Sequence, residues 1–172
     1  MLKNKLAIIG GSGLYNIEGL SNVESLKIKT PWGDPSDELT KALFKSKEVI
    51  FLPRHGRGHF ISPTKINFRA NIDALKQLGV TDIVSISAVG SLKEDLEPGM
   101  FVIVDQFIDR TFARNKTFFD DDIVAHVSMA KPTSEGLMNA CEESIKSENI
   151  QYKRGATYLV MEGPQFSTLA ES

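Results

Sequence analysis

The chain has 172 residues, 41% of them apolar and 24% charged, enough to bury a sizeable core in an ordinary soluble globular fold. A formal net charge of −2 excludes the broad cationic surface that general nucleic-acid or membrane-surface binding requires. The single cysteine, Cys141, excludes an intrachain disulfide and fits a reducing compartment, so a cytoplasmic protein of one domain spanning residues 1–172 is expected.

The first element is the apolar run Leu6 to Ile9, too short for a signal h-region or a membrane span, and it reads as a strand buried on both faces. It breaks at Gly10-Gly11-Ser12-Gly13, a tight loop and a candidate ligand site. Ser25 to Thr30 alternates Leu26 and Ile28 with Lys27 and Lys29, the period of a half-buried strand. Ala42 to Lys45 and Glu48 to Leu52 read as two strands joined by a turn around Ser46-Lys47, giving antiparallel pairing at one side of a sheet. Trp32-Gly33-Asp34-Pro35-Ser36 is a turn cluster.

From Pro63 to Leu78, Phe68, Ile72, Leu75 and Leu78 recur at helical spacing, and Gly79 supplies a left-handed stop. Asp82 to Ala88 is another buried strand, and Pro98-Gly99 turns the chain into a strand over Met100 to Val104. Asp109 to Lys131 lacks periodicity yet carries Phe112, Phe118 and Phe119, the pattern of a long ordered loop of the kind that is usually functional. Ser134 to Ser147 is a second helix, with Leu137, Cys141 and Ile145 on one face, and Gly155 to Met161 is a further strand. Glu162-Gly163-Pro164 then leads into a helix-like start that stops at Ser172, so an incomplete chain is expected. Strand, helix and strand alternate, which predicts an α/β fold with a mixed sheet flanked by helices.

Phe51-Leu-Pro-Arg54-His55-Gly56-Arg57-Gly58-His59 interleaves two arginines and two histidines with glycines after a strand pattern. Arginine offers a rigid fork of donors for phosphate or carboxylate, and glycine lets the backbone approach a ligand. Three strand ends therefore share one chemistry: Gly10 to Gly13, Arg54 to His59, and Ser87 to Ser91. In open α/β sheets ligands collect at the carboxyl ends of strands, so these turns are expected around one crevice. Ser12 and Ser87 would offer hydroxyls, Ala88 and the glycines backbone N–H groups, and Arg54 and His55 charge-assisted donors. Taken singly, each turn reads equally well as a plain connection. Gly10 to Gly13 lacks the spacing of a dinucleotide fingerprint and the lysine of a P-loop. His55 and His59 stand four apart, but Gly56 and Gly58 oppose the helix a metal pair would need, so no metal is expected. Read by themselves, His126 is a surface or packing histidine and Cys141 a core residue.

Six segments, in order, resemble the trimeric purine nucleoside phosphorylases, in particular their methylthioadenosine branch. They are Gly10-Gly11-Ser12-Gly13-Leu14, Thr30 to Asp37, Arg54 to His59, Ala88 to Leu92, Asp105 to Thr111 and Glu162 to Thr168. The resemblance implies a nucleoside phosphorylase-like fold that lacks its C-terminal part here, and phosphorolysis of methylthioadenosine to adenine and 5-methylthioribose 1-phosphate. It implies inorganic phosphate as co-substrate, no cofactor, no nucleic-acid or membrane partner, and a homotrimer in a complete chain. Ser12, Arg54, His55, Ser87 and Ala88 would bind phosphate, Phe166 would lie against the base, and His126 near the 5′-methylthio group of a neighbouring subunit. Ser167 stands where relatives acting on 6-oxopurines commonly carry glutamate, which favours the methylthioadenosine branch. The acid that protonates the leaving purine would lie beyond Ser172, leaving no catalytic residue within the chain. The alternatives are a 6-oxopurine or methylthioinosine phosphorylase, and a non-catalytic phosphate- or purine-binding fragment.

Overall fold

A computed structural model describes residues 4–11, 17–120 and 122–172. The chain divides into two compact units, one of residues Met1–Ala88 with Asn115–Phe118, the other of Val89–Arg114 with Phe119–Ser172.

The first unit is a five-stranded mixed sheet. Its strands are β1 (Leu6–Gly10), β2 (Leu20–Leu26), β3 (Leu39–Phe44), β4 (Lys47–Pro53) and β5 (Asp82–Ser85), in the spatial order β2-β3-β4-β1-β5. β3 pairs antiparallel with β2 and β4, whereas β1 pairs parallel with both β4 and β5. The expected hairpin turn falls at Lys45 and Ser46, both at positive φ (45° and 66°), the backbone that matches the twist of paired strands. β1 is covered on two faces, fully at Ala7 and partly at Ile8. Ala7 packs with Leu39, Ile50 and Leu52 against Ala74 and Leu75, while Ile8 lies with Val49, Phe51 and Ala42 on the other side.

Helix α1 (Phe68–Gln77) crosses between β4 and β5 and supplies Ala74 and Leu75 to the first of these clusters. The expected helix over 63–78 is divided, with a 3-10 turn at Pro63–Lys65 before α1. Asn67 makes the division: its non-helical backbone lets the side chain accept from Ala70 N–H and cap α1. At the other end Gly79 (φ +73°) lets its own N–H reach the Lys76 carbonyl and Val80 N–H the Leu75 carbonyl.

The strand expected over Ser25 to Thr30 lies earlier, as β2. Leu26 is paired with Leu39, where β3 begins, so residues beyond it have no ladder partner. Thr30 instead closes a turn, its hydroxyl donating to the Gly33 carbonyl at 2.6 Å. The strand expected over Asp82 to Ala88 ends at Ser85, paired with Ile9 in the last register position before β1 runs out.

The second unit holds β6 (Phe101–Ile103), β7 (Gln106–Asp109), α2 (Glu135–Ser147), β8 (Tyr152–Arg154) and β9 (Thr157–Val160). β6 pairs parallel with β8, and β7 parallel with β9. β7 and β8 were not expected from the sequence: they are three or four residues long, and only their partners define them. Ser134 caps α2, and Asn149 at φ +55° closes it, with Ile150 N–H reaching the Ile145 carbonyl. The helix-like start expected after Pro164 is a hydrogen-bonded turn over Thr168 to Ser172.

Candidate functional site

The parallel ladders hold the carboxyl ends of β1, β4 and β5 level, with Gly10 opposite Pro53 and Ile9 opposite Ser85. Each chain end is then tied to its neighbour. Arg54 N–H donates to the Gly10 carbonyl at 3.1 Å, and Ile86 N–H to the Ile9 carbonyl at 2.9 Å. The Arg54 guanidinium crosses the group: Nη1 donates to the Ile86 carbonyl at 2.7 Å, and Nη2 is 3.5 Å from where a Cβ on Gly11 would sit. Gly10, Gly11, Arg54 and Ile86 therefore meet at one edge of the sheet, with Arg54 half-buried among them and Ser87 and Ala88 exposed just beyond Ile86. Ser12 lies outside the described residues.

His55 is buried at 7% exposure, and both ring nitrogens are engaged. Nδ1 lies 2.9 Å from the Ile61 carbonyl, and Nε2 accepts from Arg54 Nε–H at 3.2 Å. Burial pushes the imidazole below its ordinary pKa, helped by the Arg54 and His59 charges and opposed by the bond to Ile61. A charge-assisted donor is expected of this ring; in the structure its Nδ1 meets the Ile61 carbonyl and its Nε2 meets Arg54. His59 stacks on His55 with ring centroids 4.4 Å apart, from a backbone at φ +60°. At Gly58 (φ +87°) a Cβ would fall 2.4 Å from the exposed Phe60 ring and displace it, and the left-handed backbone itself favours glycine. Arg57 is committed elsewhere, with Nη2 donating to Thr40 Oγ1 at 2.8 Å and its N–H donating to Asp37 Oδ2 at 2.5 Å.

The turn at residues 30–37 is anchored by α1. Asn67 Nδ2 donates to the Trp32 carbonyl at 2.7 Å, and buried Asn71 accepts from Ser36 N–H at 2.8 Å while donating to Ser36 Oγ at 2.9 Å. Arg69 lies over the Trp32 ring at 4.6 Å, and Phe118 meets that ring edge-on at 5.3 Å. Asn67, Arg69 and Asn71 are not singled out in the sequence; the signal available was two asparagines at the start of an otherwise amphipathic helix.

In the second unit, Glu162 follows β9 and is buried at 8% exposure. Its Oε2 accepts from Phe112 N–H at 2.6 Å and Ala113 N–H at 3.0 Å, and its Oε1 from Arg114 Nε at 3.2 Å. Arg114 Nη2 also donates to the Glu162 carbonyl at 2.9 Å. The two backbone donors, then Arg114, hold the Glu162 carboxyl below its ordinary pKa. Past this clamp Phe166 is 94% exposed, and Ser167 Oγ lies 2.6 Å from Ser172 Oγ. His126 is exposed in the long segment before α2. Neither Glu162 nor Arg114 was read as a site residue, because a carboxylate that bonds backbone N–H groups fifty residues away leaves no local pattern. Among the described residues, no group of three or more His, Cys, Asp or Glu side chains is disposed to hold a metal ion. No helix among them is long and apolar enough to cross a membrane.

A mixed sheet whose parallel strands end beside an arginine fork is an α/β arrangement suited to holding an oxyanion. The family model of the phosphorylase superfamily matches residues 5–172, and the chain belongs to that family. It is 57% identical over 171 residues to a Cereibacter sphaeroides protein named S-methyl-5′-thioadenosine phosphorylase, covering 99% of this chain and 59% of that relative. A Rhodospirillum rubrum protein of the same name is 58% identical over 167 residues, covering 97% of this chain and 57% of the relative. Among solved structures, a methylthioadenosine phosphorylase sourced from an antarctic soil metagenomic library matches with a TM-score of 0.94 and 50% identity, covering 98% of this chain and 60% of its own. Methylthioadenosine phosphorylase from Schistosoma mansoni in complex with adenine matches with a TM-score of 0.92 and 35% identity, covering 98% of this chain and 69% of its own. The chain thus spans less than two thirds of the length of the curated relatives described.

Proposed function

We propose that this chain carries the phosphate-binding part of an S-methyl-5′-thioadenosine phosphorylase, a pentosyltransferase that yields adenine and 5-methylthioribose 1-phosphate. The observation that carries the reading is the convergence of Gly11, Arg54 and Ile86 at the carboxyl edge of β1, β4 and β5. Such an edge offers a guanidinium and backbone donors to one oxyanion. Names of relatives at 57% and 58% identity support the substrate. In this reading Ser12, Arg54, His55, Ser87 and Ala88 form the phosphate site, Phe166 and Ser167 meet the purine, and His126 serves a neighbouring subunit of a homotrimer in the cytoplasm. Residues 1–172 act as one nucleoside phosphorylase-like domain, with inorganic phosphate as co-substrate and no cofactor.

The reaction forms a bond between a phosphate oxygen and the anomeric carbon while the bond from that carbon to the purine nitrogen breaks. The bonding pair leaves with the purine, which takes up a proton. Holding phosphate against the anomeric carbon lowers the entropic cost, and its charge stabilises the ribosyl cation that develops. Arg54 orients the nucleophile, and the proposal assigns no residue of this chain to protonating the purine. Comparing phosphorolysis of methylthioadenosine, methylthioinosine and inosine, beside calorimetric binding of inorganic phosphate, tests it. Preference for methylthioadenosine is the expected result; preference for either 6-oxopurine would overturn the substrate, and phosphate binding with no product would leave a binding module.

A further inference from the structure

Arg54 is held from three directions, and one of them is not a carbonyl. The Ile86 carbonyl takes an Nη1 hydrogen, the backbone N–H of Arg54 reaches Gly10, and Nε–H is received by the His55 ring. The two neighbours of that ring impose the same tautomer. A carbonyl, Ile61, can only accept, so Nδ1 must carry the proton; a guanidinium can only donate, so Nε2 must be bare. Nη2 is not spent on any described residue and lies beside Gly11, 3.5 Å from where a Cβ there would sit.

Resting on the phosphate-site reading above, we propose that His55 is a positioning residue: as a neutral acceptor at Nε2 it fixes the Arg54 fork so that Nη2 faces the anion, and its ring does not itself donate to phosphate. Three features hold it in that state. The ring is buried, it is stacked on His59, and its one N–H is taken by Ile61. The titratable and charged groups facing it are Arg54 and His59, and both disfavour a second proton, as burial does. When a proton does arrive, Nε2–H meets Arg54 Nε–H, two donors and two positive charges in contact, and the fork loses its orientation. Phosphate affinity is thereby coupled to the protonation of an imidazole that acts on the anion through Arg54.

The test uses the full chain, inorganic phosphate and calorimetry, with His55→Phe and His55→Gln as variants. Phenylalanine keeps a ring for the His59 stack but has no acceptor; glutamine carries one acceptor and one donor group, as the neutral imidazole does. The expected result is that H55F weakens phosphate binding roughly tenfold, the worth of one charge-assisted hydrogen bond, while H55Q stays within about twofold of the wild type. Acidification through the lowered pKa of this ring, which lies under the ordinary histidine value of about 6.5, should weaken the wild type more than H55Q. The second ionisation of phosphate is common to both proteins and cancels in their ratio. Nitrogen-15 NMR of the wild type gives a readout independent of any variant's folding, and with 3 histidines in the chain the spectrum is simple to assign. A neutral His55 protonated at Nδ1 supports the proposal, and an Nε2-protonated or doubly protonated ring at pH 7.5 overturns it. Equal phosphate affinity of H55F and wild type also overturns it, leaving the anion site intact. A wild type that binds no phosphate would remove the phosphate-site reading itself, and the positioning role with it.

Discussion

The two units differ in how they treat apolar side chains. The first gathers Leu39, Ile50, Leu52 and Leu75, its largest fully buried side chains, between one sheet face and α1. In the second, α2 has no buried residue, and Phe112, Ile123, Val124 and Val127 are each more than 60% exposed. Both helices have an amphipathic pattern and both are capped at each end, so pattern and caps make a helix in either setting. Burial requires something more, a broad partner surface, which a five-stranded sheet supplies and a pair of two-stranded ladders does not. The predicted anion edge belongs to the unit with the packed core, where the ends of parallel strands are held in register by what lies beneath them.

Truncating the core should break this contrast most visibly. Leu75→Ala is expected to cost about 3 kcal/mol of stability, against about 1 kcal/mol for Ile145→Ala on the half-buried face of α2. Urea unfolding read by circular dichroism compares them, and equal costs would mean that the second unit has a core of its own. Arg54→Ala should leave the fold intact and weaken inorganic phosphate binding about 100-fold, because it removes a charged donor that the neighbouring carbonyl cannot replace. An affinity within threefold of wild type would put the anion elsewhere. Trp32→Ala deletes the Phe118 edge contact and the Arg69 cation, each worth about 1 kcal/mol, for a total loss of about 1–2 kcal/mol in the same unfolding assay.

The smallest effect belongs to the charged surface of the second unit. Donation by Lys146, then Arg154 and Tyr152, lowers the Glu142 carboxyl from an ordinary 4.5 to about 2. A native pKa below the unfolded one favours the ionised form in the native state. The contribution is therefore full above about pH 4.5 and is lost as pH falls toward about 2. Glu142→Gln should flatten the fall of the thermal midpoint across that window without abolishing it, since Glu162 is also held low. An unchanged slope would show that the network contributes nothing measurable.

Much of this was written locally. The unbroken run Leu6 to Ile9 required a strand covered on both faces, the glycine after Leu78 required a left-handed stop, and the glycines around Arg54 and Arg57 marked a turn where backbone and ligand can approach. Those signals depend on the backbone freedom and side-chain period of a few neighbouring residues, so a sequence carries them by itself. Tertiary structure alone decided that β2 ends at Leu26, that β7 and β8 exist, that Asn71 holds Ser36, that Glu162 clamps Phe112 and Ala113, and that the His55 ring accepts from Arg54. Each depends on a partner brought close by folding. A hydrogen bond is satisfied by whichever group arrives at the right distance, and neither partner's local sequence records the other.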